Sequence, residues 1–369
     1  MRLIKGFTPN WFTAGMGTGI VALDAYLLPA GPDWLRVAGT ALWFFNMALV
    51  GALVVLMGLR GMVDPRGVKR VFTDPLHSMF FGAIPMAMTT VVNGFFDMGP
   101  HLFGPASYHI GAVLWVINAA IAVASGVLVP FLMFISHDHA LSGMTAVWLM
   151  PIVPAEVVAA SGGLMLPHIV HTALQQDLFV GTIVLWAFSV PMAFLLLGTL
   201  FVRLALHHLP PRELAISTWI TLGTLGTGIM GLMLVAKDAP LVFPGLAGSI
   251  GGAATLASII LWGLGIWWMV QSFLITGYYL WTKTLRFNLG WWGLTFPLGV
   301  FAGGTDLLYH ALGTGIFHWA ALGFFILLAL FWVLVASLTA HHVTTLRTGR
   351  QARPEDAPRA DEDASEAVV

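Results

Sequence analysis

Gly223-Thr224-Leu225-Gly226-Thr227-Gly228 sits in the middle of an apolar run at 214–236, and interruptions of this kind decide how the chain folds. Four other apolar runs carry a similar Gly, Pro and hydroxyl cluster, spaced about 66 to 75 residues apart: Met16-Gly17-Thr18-Gly19, Ile84-Pro85-Met86-Ala87-Met88-Thr89, Met150-Pro151-Ile152-Val153-Pro154 and Phe296-Pro297-Leu298-Gly299. Broken backbone at membrane depth is tolerated only where neighbouring protein or a water-filled cavity satisfies the freed N–H and C=O groups. Five weakened segments therefore predict five helices gathered around one shared pore.

Composition places the chain in lipid. With 58% hydrophobic and 9% charged residues and a mean hydropathy of +0.87, a single soluble core of ordinary composition is excluded. Cysteine is absent, which removes disulfides, thiolate metal sites and cysteine nucleophiles. The first apolar run, 11–30, is too long for a signal-peptide core and is expected to be retained as a span. Runs long enough to cross roughly 30 Å of hydrocarbon fall near 11–30, 35–59, 77–97, 109–135, 145–166, 178–206, 214–236, 249–280, 289–311 and 317–343. The expected fold is an all-α membrane protein of ten transmembrane helices, arranged as five hairpins. Residues 1–345 form this domain, and 346–369 read as a disordered, acidic cytoplasmic tail.

Charge sets the orientation. Fourteen of the sixteen Lys and Arg residues fall on one side of these spans, and Arg36 and Lys237 alone fall on the other. Because Lys and Arg flanking spans are retained on the cytoplasmic side, both termini are expected inside the cell, in an inner (plasma) membrane. Odd spans then run outward and carry the Pro, Gly and hydroxyl residues. Pro removes a helix hydrogen bond and displaces a carbonyl, so the odd spans are expected to be kinked and to line the pore. Even spans such as Phe44–Leu59 and Leu322–Leu338 are smooth runs of Leu, Val, Phe and Ala, as suits an outer ring facing lipid or a partner subunit. The alternative for any one span is that its small residues merely permit close packing, as at Gly223, Gly226 and Gly231.

At the same clusters the chain resembles the tellurite-resistance/dicarboxylate transporter family, which includes bacterial tellurite-resistance channels, plant slow anion channels, fungal malate permeases and fungal sulfite exporters. The matching residues are Trp11-Phe12-Thr13 with Met16-Gly17-Thr18-Gly19-Ile20, Phe80-Phe81-Gly82 with Pro85-Met86, and Met144-Thr145 with Trp148-Leu149-Met150-Pro151-Ile152-Val153-Pro154. Leu222-Gly223 with Gly226 and the stretch from Phe287 to Gly299 complete the set. The resemblance implies a central anion pathway in each subunit of a homotrimer, obstructed by an aromatic residue of the ninth helix. Phe296 stands at that position. It also implies export of a small anion, either sulfite or a C4-dicarboxylate such as malate, with nitrate or chloride conduction as the uncoupled alternative.

No Lys or Arg sits in the middle of an odd span, so an anion would be held weakly by hydroxyls and by backbone N–H groups near helix breaks. Thr18, Thr89, Thr90, Thr224, Thr227 and Thr295 are the candidate donors, Pro151 marks a break that would line the pore, and His77 sits at the cytoplasmic mouth behind the helix start Asp74-Pro75. Each Thr has the alternative of bonding back to its own helix. Asp24 and Glu156 lie deep in spans 1 and 5. Ionisable groups at that depth are functional hypotheses by default, here a proton-linked role, against a structural hydrogen bond. Asp306 and His310, four residues apart, can pair on one helix face.

Other classes fit less well. The thirteen histidines fall mostly at span ends, without the facing central pair that a bis-imidazole haem requires. A hydrolase lacks His-Glu-x-x-His, and Ser161-Gly162-Gly163 has no evident base. No phosphate-binding Gly-x-x-x-x-Gly-Lys-Ser/Thr loop is present. The sequence therefore implies no enzyme activity, cofactor, metal or nucleic-acid partner, and points to a small anion and the lipid bilayer as what the chain contacts.

Overall fold

The computed structural model describes residues 2–28 and 31–347. Ten α-helices of twelve or more residues follow one another: α1 Phe12–Leu27, α2 Asp33–Val63, α3 Ala83–Asp97, α4 Ala106–Ile135, α5 Pro154–Met165, α6 Thr172–His207, α7 Ile220–Val242, α8 Ala247–Trp281, α9 Phe296–Leu312 and α10 Gly315–Arg347. Among the described residues there is no strand. The expected tail begins two residues inside α10, and the remainder of it, 348–369, lies outside the described residues.

Seven helical stretches are long and apolar enough to cross a membrane: Asp33–Val63, His77–Asp97, Ala106–Ile135, Thr172–His207, Arg212–Val242, Pro244–Trp281 and Gly315–Thr345. The other three of the ten expected spans fall on shorter helices. α1, α5 and α9 have 16, 12 and 17 residues, short of the roughly 20 that a bilayer needs. Proline explains two of them. Pro154 is the first residue of α5 and Pro297 the second of α9, positions where a missing N–H breaks no helix bond and the fixed φ favours a helix start. The predicted kinks at 151–154 and 296–299 are thus helix beginnings. Tight 3-10 turns lead into every odd helix, at Pro9–Trp11, His77–Gly82, Ala146–Leu149, Arg212–Trp219 and Leu289–Leu294.

The glycine clusters behave differently again. Gly17 and Gly19 lie in unbroken α1, and Gly223, Gly226 and Gly228 in unbroken α7. Here the packing alternative describes the chain: a Cβ on Gly226 would stand 2.5 Å from the Phe301 backbone N, and one on Gly19 would overlap the Thr90 side chain. These glycines bring helix axes together. Prolines inside helices, Pro130 and Pro191, fall in even helices α4 and α6, with Pro240 near the end of α7.

Each odd helix packs on the even helix that follows it. The odd helices also touch one another in sequence, α1 on α3, α3 on α5, α5 on α7, α7 on α9, and α9 back on α1. Nearly every residue of α5 is buried, whereas Phe45, Val116, Leu195, Ile260 and Leu330 on the even helices are exposed. Two arginines tie connecting segments at the N-terminal ends of the odd helices. Buried Arg60, near the end of α2, donates to the carbonyls of Phe7 and Gly67. Arg203 of α6 donates to the Ser142 carbonyl at 2.6 and 3.1 Å and to that of His208 at 2.8 Å.

Candidate functional site

Two cavities lie among the odd helices, one toward each end. The larger, about 120 Å³, is lined from all five: Ile20 and Asp24 of α1, Thr89, Thr90, Asn93 and Asp97 of α3, Val157 and Ala160 of α5, Thr227 and Met230 of α7, and Phe296, Gly303 and Asp306 of α9. Leu164, Leu234 and Leu307 place it toward their C-terminal ends. The smaller, about 40 Å³, collects the same five segments at their N-terminal ends, through Thr13, Phe80, Val147, Met150, Ser217, Trp292 and Pro297. Phe296 lines the first and Pro297 the second, and Phe296 is only 2% exposed.

Glu156, which lines neither cavity, is fully buried in the first turn of α5. Its Oε1 accepts from Thr224 and Thr227, each at 2.7 Å, while Oε2 has no hydrogen-bond partner. Glu156 and Thr224, read separately in the sequence, form one constellation, and Thr227 joins it. Asp24 stands on the larger cavity with Asp97 and Asp306. Its carboxylate occupies the room left by Gly299 and Gly303, where an added Cβ would lie 3.2 and 3.7 Å from its oxygens.

The hydroxyls divide by direction. Thr89 lines the larger cavity, donates to the Pro85 carbonyl at 2.9 Å and accepts from Asn118 at 2.8 Å. Thr18 and Thr295 line neither cavity. Thr18 accepts from the Trp332 indole of α10 at 3.2 Å, and Thr295 donates to the Trp292 carbonyl at 2.7 Å, filling the space over Gly17. Pro151 is buried in the turn before α5, against the point where a Gly82 side chain would stand, and it too lines neither cavity.

His77 is half exposed and pairs through Nδ1 with Asp74 at 2.9 Å, away from both cavities. Asp74 also accepts from the N–H groups of Leu76 and His77. Burial pushes the Asp74 carboxyl up, but the hydrogen bonds from His77 and Leu76 outweigh it and hold the group below the usual carboxylate range. Asp306 and His310 do pair, at 3.3 Å.

Sequence reading missed the asparagines. Asn46 of α2 donates to Thr90 at 2.9 Å, Asn118 of α4 reaches the Pro85 carbonyl at 3.0 Å, and Asn93 accepts from Ser161 at 2.5 Å. The available signal was an amide alone in an apolar run, which membrane helices use to bond across an interface. Among the described residues no group of three or more His, Asp or Glu is placed to hold a metal ion.

Seven helices long and apolar enough to span a bilayer, packed around buried polar groups, define a multi-pass membrane protein. The family model described as voltage-dependent anion channel matches residues 6–340, and the chain belongs to that family, the one its sequence resembles. Its relatives include the sulfite efflux pump of Trichophyton rubrum, 34% identical over 357 residues, with 93% of this chain and 92% of the relative covered. The sulfite efflux pump of Arthroderma benhamiae is 33% identical over 352 residues, covering 93% and 92%. An uncharacterized transporter of Methanocaldococcus jannaschii is 28% identical over 349 residues, covering 94% and 96%.

Proposed function

We propose that this chain exports small oxyanions, sulfite first among them, along the axis of its odd helices, with Phe296 as the obstruction that limits flux. The observation that carries this reading is the pair of cavities, each lined from all five odd segments, with Phe296 on the wall of one and Pro297 on the wall of the other. An apolar ring across a narrow tube dewets it and raises the desolvation cost for an ion. Membership of an anion channel family and the names of the sulfite-exporting relatives support the choice of cargo.

In this reading all ten helices cross the bilayer as five hairpins, the short odd helices being extended by the 3-10 turns before them. The crowding of Lys and Arg at the N-terminal ends of the odd helices makes that side cytoplasmic, with both termini inside a plasma membrane. Exposed faces of the even helices meet lipid and two further copies in a homotrimer. Asp24 and Glu156 are proton-linked, because ionised carboxylates beside the path repel an anion and protonation removes that repulsion.

The test is efflux from proteoliposomes of sulfite, nitrate, chloride and malate, each at two pH values. Sulfite should lead, and Phe296→Ala should raise its flux severalfold. Unchanged flux in a folded Phe296→Ala protein takes Phe296 out of the mechanism. Glu156→Gln should abolish stimulation by a pH gradient, and retained stimulation leaves Glu156 a structural group.

A further inference from the structure

Between α2 and α3 lies a nine-residue helix, Pro65–Thr73, that lines neither cavity. Its start is written in the sequence: Asp64 accepts from the Gly67 N–H at 2.9 Å, and Pro65 takes the first helical position. One side of it is fastened to the body of the protein. Gly67 and Val71 are buried, the Phe72 ring stacks on Phe81 at 3.8 Å, and the Phe72 carbonyl accepts from His137 Nε2 at 2.9 Å. Arg60 holds the Gly67 carbonyl from behind.

The other side is cationic. Arg66, Lys69 and Arg70 are spaced i, i+3 and i+4, so at about 100° per residue they share one face, turned away from Gly67, Val68, Val71 and Phe72. All three are exposed. Among the described residues none of them pairs with a carboxylate. The flanking acids are committed, Asp64 to the Gly67 N–H and Asp74 to His77. In a chain of net charge −1, this is a concentrated and unneutralised positive surface.

Its neighbours fix its level in the membrane. The helix follows α2 directly across Asp64, packs on α2 and α4, and reaches the segment just beyond α4 through His137. Those two spans end on Met62, 75% exposed, and Phe134, 80% exposed, with Val63 and Ile135 beside them also exposed. Large apolar side chains left bare at the end of a span belong at the edge of the hydrocarbon. The cations next to them therefore stand at the height of the lipid headgroups, where Lys and Arg stems lie along apolar matter with the charge at the phosphate.

We propose that Pro65–Thr73 is a docking face for anionic phospholipid, with the headgroup phosphate against Arg66, Lys69 and Arg70 and the acyl chains against Met62 and Phe134. Guanidinium groups match phosphate oxygens in pairs. A free oxyanion has the same charge but nothing to set against those apolar residues, so the lipid is the occupant. In the orientation proposed above this is the cytoplasmic leaflet, whose anionic lipids attract cations beside a span. The assignment does not depend on which anion the protein moves.

The test titrates the full-length protein in neutral detergent with short-chain phosphatidylglycerol, phosphatidylcholine or inorganic phosphate, reading occupancy by native mass spectrometry. Phosphatidylglycerol should bind the wild type at least tenfold more tightly than the other two, and added salt should weaken it. The combined variant Arg66→Gln, Lys69→Gln, Arg70→Gln should lose on the order of 100-fold in affinity, about fivefold per cation. Lys69→Arg should bind as the wild type does. Because the three side chains are exposed, the combined variant should unfold at the wild-type temperature in phosphatidylcholine; if it does not fold, Lys69→Gln alone should show the fivefold loss. Wild-type affinity in these variants, or equal binding of phosphatidylcholine, overturns the assignment. Inorganic phosphate bound as tightly as phosphatidylglycerol overturns the lipid and makes the face a free-anion site.

Discussion

His77–Asp97 and Ala106–Ile135 are consecutive, both apolar enough to cross a bilayer and packed on one another, yet 83% of the first stretch's most apolar window is buried against 28% of the second's. The same contrast separates Arg212–Val242, at 78%, from the neighbouring Pro244–Trp281, at 33%. Mean hydropathy is lower in the two buried stretches, 1.4 and 1.6, than in the five exposed ones, 1.7 to 2.6, although lipid accepts Leu and Val as readily as a protein interior does. Side-chain size and hydrogen-bonding demand sort them. Thr89, Thr90, Asn93 and Gly94 of α3 need protein partners or close neighbours, while Val113, Val116 and Ile117 of α4 need neither.

The largest effect should come from glycine substitutions that set one class of helix against the other. Gly226→Ala places a methyl group against the Phe301 backbone and should destabilise the protein by about 3 kcal/mol. Gly181→Ala on α6, where nothing lies within 4 Å, should leave the unfolding temperature unchanged or raised, because Ala is the better helix former. Thermal unfolding in detergent checks both, and equal losses would erase the contrast.

Next in size is Asn118→Ala, which removes the donor that an even helix lends to the Pro85 carbonyl and Thr89. It should cost about 1–3 kcal/mol, against about 0.5 kcal/mol or less for Val116→Ala on the exposed face of the same helix. Trp332→Phe, which loses one indole bond to Thr18, should cost about 1 kcal/mol; a larger loss would mean that α10 holds α1 by more than that contact.

The smallest effect is in the connection before α3. Asp74 titrates below its ordinary value of 3.8, so its cap is fully present above that pH and is lost as pH falls through the depressed value. Hydrogen exchange at the Leu76 and His77 amides should therefore gain local opening only in acid. Opening that sets in near neutrality would assign the cap to the imidazole instead.

Much of this contrast was legible in the sequence. The alternation of smooth and interrupted runs separated the exposed helices from the buried ones. What proline does was not legible. The same residue can kink a helix or begin one, and the outcome depends on whether the preceding residues find 3-10 turns and packing partners, as Ala146–Leu149 and Leu289–Leu294 do. Direction around a helix was equally hidden: Thr18 and Thr89 look alike in sequence, but one faces Trp332 and the other a cavity.

Arg60 has a practical consequence for handling the protein. The residue is 5% exposed, and one of the two acceptors of its guanidinium is the Phe7 carbonyl. Trimming the chain through Phe7 would strand a desolvated cation, which typically costs about 3–5 kcal/mol. Affinity tags and fluorescent fusions therefore belong ahead of residue 2, and shortened variants should keep Phe7.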